Sequence, residues 1–207
     1  IDPAYLMGKK YAVVATNPPY LNKYDMLLKA YIVEKYNDFK GDIFSVFIHR
    51  NFDYCLEDGY SAFMTPFVWM FIKTYSKLRE EILKNKAIIT LIQMEYSAFE
   101  EATVPICSFV TRNGSEKEKG YYFSLSSFVG GMEVQRQKTL EAIKNKDCGY
   151  FFETSVKHFF NIPGMPLAYW VSDKFVEAFS NEQIAQYAIS DGQTKTGDNG
   201  KYLRLLW

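Results

Sequence analysis

The chain is expected to be an α/β protein built on a largely parallel sheet, and three observations point there. Short apolar runs, "YAVVAT" (11–16), "YSAFMT" (60–65) and "AIITLIQM" (87–94), are separated by segments whose apolar residues recur at helical spacing. That alternation is what parallel strands joined by crossover helices require. The runs are apolar at consecutive rather than alternate positions, as in strands covered on both faces. Finally, "VPICSFVTR" (104–112) and "YYFSLSSF" (121–128) flank the polar, Gly-containing "NGSEKEKG" (113–120), which reads as an antiparallel hairpin closing the sheet.

Taken in order, "YAVVAT" is expected to be a fully buried strand that ends in turn residues. Residues 23–36 have mixed helical character. Gly41-Asp42 then opens a clear helix with Asp42 as its N-cap. Phe44, Phe47, Ile48, Phe52, Cys55 and Leu56 follow at spacings of three and four and form one apolar stripe, and "EDG" (57–59) ends the helix. Pro66 stops the second strand. In "TYSKLREEILKN" (74–85), Tyr75, Leu78 and Ile82 share one face of a surface helix.

From about residue 130 the texture changes. "MEVQRQKTLEAIKNKD" reads as a polar helix and "FNIPGMPLAYW" as a proline-rich connection. "SDKFVEAFSNEQIAQYA" holds two short helices, capped at Ser172 and at Ser180 or Asn181. "SDGQTKTGDNGKY" is polar and Gly-rich. Residues 1–130 are therefore read as one partial domain, and 131–207 as a linker and the start of a second. "IDPAYLMGKK" at the front and "KYLRLLW" at the back both read as cuts through a longer protein.

Composition narrows the function. Apolar residues make up 48% of the 207, enough for a substantial core. Lys+Arg and Asp+Glu both number 24, and this balance argues against a large nucleic-acid footprint on this segment. Three widely spaced cysteines, Cys55, Cys107 and Cys148, contain no CxxC pair, so no zinc site of familiar spacing is expected, and no metal. An odd count without a disulfide pattern suits a reducing cytoplasm. Cys55 and Cys107 sit on apolar stripes and read as buried thiols, His49 and His158 as structural, and Glu95, Glu100 and Glu101 as a solvated cluster. The longest apolar run, "FMTPFVWMFI", is too short to span a bilayer and contains Pro66, so no membrane role is expected.

The chemistry is concentrated in "NPPY", Asn17 to Tyr20. The lone pair of an exocyclic amine on a nucleobase is delocalised into the ring. Acceptors aimed at its two hydrogens favour a tetrahedral, nucleophilic geometry. Asn17 can offer its side-chain oxygen, and the carbonyl of Pro18 a second acceptor. Pro18 and Pro19, with φ locked, hold that carbonyl in a fixed direction. Tyr20 can stack on the face of a base flipped out of the duplex, which offsets the unstacking cost of roughly a few kcal/mol. Alignment with a methyl donor supplies the remainder. Asn17 directly follows a strand, and ligands of open α/β sheets sit at carboxyl strand ends. The plain alternative is a rigid strand-ending turn.

This motif after an apolar strand resembles the catalytic motif of amino-group DNA methyltransferases, mainly the adenine-N6 type. "GDIFSVFIHRNFDYCLEDGYSAFMTP" is similar to the helix and strand that follow it in that family. "LIQMEYSAFEEATVPICSFV" is similar to the region where an aromatic covers the other face of the flipped base, and by order and spacing that aromatic maps onto Phe99. "PLAYWVSDKF" and "GQTKTGDNGKYLRLLW" resemble the approach to a target-recognition domain. Together these strings resemble the large BREX-type phage-defence and restriction-linked adenine methyltransferases.

The resemblance implies the carboxyl-terminal half of a Rossmann-like sheet and methyl transfer from S-adenosylmethionine to adenine N6. It implies DNA as partner, as a duplex with a flipped adenine, and protein partners of a defence system. Asn17 and Phe47 are candidates to face the cofactor, with a core position as the plain reading of Phe47. Lys195 and Arg204 are candidates to touch phosphate, with an exposed loop as the plain alternative. The chain departs from the family in one respect. The Gly-rich loop and the acidic residue that hold the cofactor precede the motif in that family, and residues 1–16, with a single glycine at Gly8 and Asp2 ahead of it, hold no such arrangement. The isolated chain is therefore expected to be inactive. A protein glutamine amide, RNA or a cytosine amine as substrate, or a catalytically silent binding module, stay open as alternatives.

Overall fold

The structure is a computed structural model and describes residues 2–96, 104–114, 119–182 and 186–187. The elements run α1 (Pro3–Met7), β1 (Tyr11–Thr16), α2 (Met26–Lys35), α3 (Ile43–Tyr54), β2 (Cys55–Pro66), α4 (Ser76–Asn85) and β3 (Ala87–Gln93). They continue with β4 (Ile106–Arg112), β5 (Lys119–Ser124), α5 (Gly131–Lys144), β6 (Phe151–Ser155), α6 (Val156–Phe160) and α7 (Asp173–Glu177). The strands form one sheet in the order β1-β2-β4-β3-β5-β6. β1 and β2 are parallel, as are β3 and β5. β4 runs antiparallel between β2 and β3, and β6 antiparallel along β5.

The α/β class holds, but the sheet is mixed rather than largely parallel, with three of its five pairings among the described residues antiparallel, and the expected closing hairpin does not form. β4 and β5 are not neighbours; β4 is inserted between β2 and β3, and β5 crosses to the far side of β3. A strand bounded by a polar turn has the same local pattern whether it pairs with the next strand or with earlier ones. The packing leaves one trace in the sequence. A Cβ on Gly120 would lie 2.5 Å from the carbonyl oxygen of Ile88, so β5 can approach β3 only with glycine there.

β1 also differs from expectation. It is an edge strand with β2 as its one neighbour, and Val13 is 62% exposed rather than buried. Helix α3 begins where Asp42 predicts, the carboxylate accepting from the Phe44 amide. It stops at Tyr54, because Cys55 turns extended and pairs with Tyr11. Sheet pairing here overrides the helical spacing that carried the stripe on to Leu56.

The main core lies where α3 and α4 pack on one face of the sheet. Phe44, Ile48 and Phe52 of α3 and Leu78 and Ile82 of α4 meet Phe63, Leu91 and Phe109. Cys55 and Cys107 are fully buried, as expected. Glu95 is not solvated as expected but 5% exposed, with its amide donating to Gln135 Oε1.

β6 was missed in the sequence, and the boundary expected at residue 130 falls between two strands of one sheet, β5 and β6. Phe159, Leu167 and Tyr169 join the same core. Arg79, 1% exposed, ties this later segment down. It donates to the carbonyls of Trp69 and Ile72, both at 2.7 Å, and of Gly164. Helix α7 is capped by Ser172 as predicted.

Candidate active site at the end of the first strand

Thr16, the last residue of β1, pairs with Phe63 of β2 and delivers Asn17 to the carboxyl edge of the sheet. In the corner that follows, Asn17 and Pro19 are exposed, Pro18 is buried and Tyr20 is half-buried. One buried ring therefore anchors the turn while the amide of Asn17 stays accessible. The Tyr20 hydroxyl lies 2.9 Å from Asn17 Oδ1 and 3.2 Å from the carbonyl oxygen of Met64 on β2. It has one proton for two acceptors. Burial, and secondarily the nearby Cys107 thiol, push the Tyr20 hydroxyl above its ordinary range, which keeps it protonated and a donor.

Beside Tyr20 opens a cavity of about 370 Å³, lined among others by Leu21, Asp42, Phe44, Pro66 and Tyr75. Its size falls at the lower end of small-molecule sites, roughly 300–1,000 Å³. The ring of Phe44 meets Tyr20 edge-on, with centroids 6.4 Å apart. Burial, reinforced by the Asp42 carboxylate, pushes Tyr75 up to about 12, so both tyrosines of the cavity are neutral at physiological pH. Asn17 does not itself line this slot; Tyr20, whose hydroxyl meets Asn17 Oδ1, connects the two. The slot's rings, with Asn22, Lys23 and Asp42 among its lining, suit a planar heterocycle bearing polar groups.

Phe47 departs from the buried stripe in which the sequence placed it. It is 38% exposed, whereas Phe44 and Ile48 beside it are 1% and 0% exposed. Its phase on α3 puts it at the flank of the stripe, and Val46 packs inward instead. Phe99, Lys195 and Arg204 lie outside the described residues. Val104 and Pro105, which follow the segment holding Phe99, line the cavity. Sequence reasoning missed Tyr75 and Pro66 as cavity residues and saw Asp42 as a helix cap alone. The Gly41-Asp42 pair was the one available signal.

Comparison with known proteins bears on this corner directly, because the matched stretch contains it. Residues 4–99 match the Eco57I restriction-modification methylase family. Over nearly all of its span the chain is similar to the adenine-specific methyltransferase PglX of Lacticaseibacillus casei (strain Zhang). That match is 28% identical over 207 residues and covers 96% of this chain and 17% of that protein. It is likewise similar to the adenine-specific methyltransferase BrxX of Escherichia coli O9:H4 (strain HS), 30% identical over 185 residues, covering 86% of this chain and 15% of that protein. The chain thus spans about a sixth of the length of these curated relatives.

The fold is shared with the type I restriction-modification methyltransferase subunit from Streptococcus thermophilus. The TM-score is 0.61 at 17% identity, over 78% of this chain and 38% of that one. It is also shared with the type IIG restriction endonuclease BpuSI, with a TM-score of 0.54 at 14% identity, over 82% of this chain and 21% of that one. The resemblance carried by Asn17–Tyr20 is borne out, and the sheet is Rossmann-like, as in these structures.

Proposed function

We propose that the protein, at its full length, transfers a methyl group to the N6 amino group of adenine in DNA, in a restriction-modification or phage-defence setting. The observation that carries this reading is the exposed Asn17 at the carboxyl end of β1, held beside Tyr20 and an aromatic cavity. The family match at residues 4–99 contains that site, and two adenine-specific methyltransferases match most of the chain, which supports the choice of substrate.

In this reading Asn17 Oδ1 and the Pro18 carbonyl accept the two amino hydrogens and orient the nitrogen lone pair. The buried Pro18 ring and the fixed φ of both prolines hold these acceptors still, so no reorganisation is needed as the amine becomes reactive. Tyr20 covers one face of the flipped base and Phe99 the other. S-adenosylmethionine supplies the methyl group. The residues present fit it only in part: Asn17 and the exposed Phe47 offer it an amide and a ring. The uncovered apolar surface of β1 supports a reading in which the remainder of the cofactor site packs there. Residues 131–207 lead into target recognition, Lys195 and Arg204 contact phosphate, and other proteins of a defence system join the complex.

The test is Asn17→Ala in the full-length protein, read as N6-methyladenine by mass spectrometry of digested DNA. Loss of roughly 10²–10³ in rate is expected for removing one preorganised hydrogen-bonding group, with unchanged melting because Asn17 is exposed. Methylation at a cytosine or a protein glutamine instead would redirect the reading, and full activity of the variant would refute it.

A further inference from the structure

The catalytic corner is short of hydrogen-bond donors. Two of its four residues are prolines without an N–H, so little within it can be tied down by backbone bonds. Upstream it is held by β1, which is in register with β2 through Thr16 and Phe63. Downstream the first residue is Leu21, and both of its backbone groups are engaged by the start of α3. Its amide donates to Asp42 Oδ1 at 2.9 Å, and its carbonyl accepts from the Ile43 amide at 2.9 Å. The same Asp42 oxygen accepts from the Phe44 amide at 3.2 Å, and Ser45 Oγ donates to the Asp42 carbonyl at 2.6 Å. Asp42 is 8% exposed and lines the cavity beside Tyr20.

We propose that Asp42 is a positioning residue that clamps the end of the Asn17–Tyr20 corner to helix α3, one carboxylate oxygen serving at once as helix cap and as loop anchor. Helix α3 packs on the core through Phe44, Ile48 and Phe52, so the anchor is rigid. The corner is then held at its two ends, by β1 and by the Leu21–Asp42 bond, in addition to the buried Pro18 ring and the Tyr20 hydroxyl at the Met64 carbonyl within it. The consequence for chemistry rests on the methyltransferase reading above. The clamp itself rests on geometry alone.

The experiment uses the full-length protein with three substitutions. Asp42→Ala removes the accepting oxygen and Asp42→Asn keeps one. Asp25→Ala removes an ordinary cap, the one on the Leu28 amide at 2.9 Å, with no tie to the corner. Amide hydrogen exchange over residues 17–22 should quicken roughly tenfold in Asp42→Ala, little in Asp42→Asn and not at all in Asp25→Ala. The rate of methylation at saturating DNA should fall roughly 10- to 100-fold in Asp42→Ala with KM for DNA nearly constant, since a misplaced acceptor costs alignment rather than binding. Asp42→Asn should restore most of it.

Unchanged exchange over 17–22 in Asp42→Ala would overturn the proposal. So would a rate loss in Asp42→Ala no greater than in Asp25→Ala. A wild-type protein that makes no N6-methyladenine but shows Asp42-dependent exchange would sink the functional reading and sustain the clamp.

Discussion

The Tyr20 hydroxyl donates to the side-chain oxygen of Asn17 across 2.9 Å, which places a proton on the very acceptor the substrate amine would use. An amide oxygen has two lone pairs, so under the proposed function an incoming amine would share Asn17 Oδ1 with the Tyr20 hydroxyl or displace it. The hydroxyl can turn in exchange to its second acceptor, the Met64 carbonyl at 3.2 Å. The resting corner is in this sense self-satisfied.

That exchange can be measured. Tyr20→Phe keeps the ring and removes the competing donor. A hydrogen bond of this type is worth roughly 0.5–1.5 kcal/mol net, so single-turnover methylation should quicken, by up to roughly tenfold. Tyr20→Ala instead loses base stacking worth about 1–3 kcal/mol and should slow the reaction. A Tyr20→Phe variant slower than wild type would show that the hydroxyl has a further task.

Arg79 offers a stability test. Its guanidinium is 1% exposed and satisfies three backbone carbonyls, of Trp69, Ile72 and Gly164. Burial pulls its pKa down, yet not far enough to discharge an arginine. The Ile72 carbonyl also accepts from the Tyr75 amide at 3.1 Å. Arg79→Met therefore strips the Trp69 and Gly164 carbonyls of this donor at about 1–3 kcal/mol each, and a loss of roughly 2 kcal/mol or more is expected in urea unfolding. Release of the segment around Gly164 should appear in the same variant as faster proteolysis between residues 160 and 170.

His49 supplies a pH test. Its Nδ1 lies 2.8 Å from Glu81 Oε1, and the ring stacks on Phe39 at 4.2 Å. The Glu81 bond raises the His49 pKa above its ordinary 6.5 despite partial burial. A group whose folded pKa is raised contributes stability that is complete below the unfolded value and disappears as pH rises through the folded one. The urea midpoint should therefore fall as pH rises from the ordinary histidine value through the raised folded one, and His49→Gln should flatten that slope. An equally steep slope in the variant would assign it to another group.

Much of this molecule is legible from local chemistry. The caps at Asp42 and Ser172 are short-range: each side chain bonds an amide two or three residues away. The faces of α4 follow from spacing, and Leu78 and Ile82 are fully buried as that spacing demands. Asn17–Tyr20 is readable because four adjacent residues carry both acceptors and the ring. β6 escaped notice because "FFETS" is too short for a periodic signal and its residues are only partly buried. The exposed Phe47 escaped because spacing alone cannot tell the centre of an apolar stripe from its flank.

The order of chemistry along the chain, then, belongs to the amino acids themselves: a strand, a rigid corner with an amide and a ring, a capped helix. Nothing local could specify that β4 would wedge between β2 and β3 or that Arg79 would reach Gly164, 85 positions away. Nor could it specify that Asp42 would hold an amide 21 residues before it. Those arrangements join distant segments, and they exist because buried carbonyls and amides must find partners wherever packing has brought them.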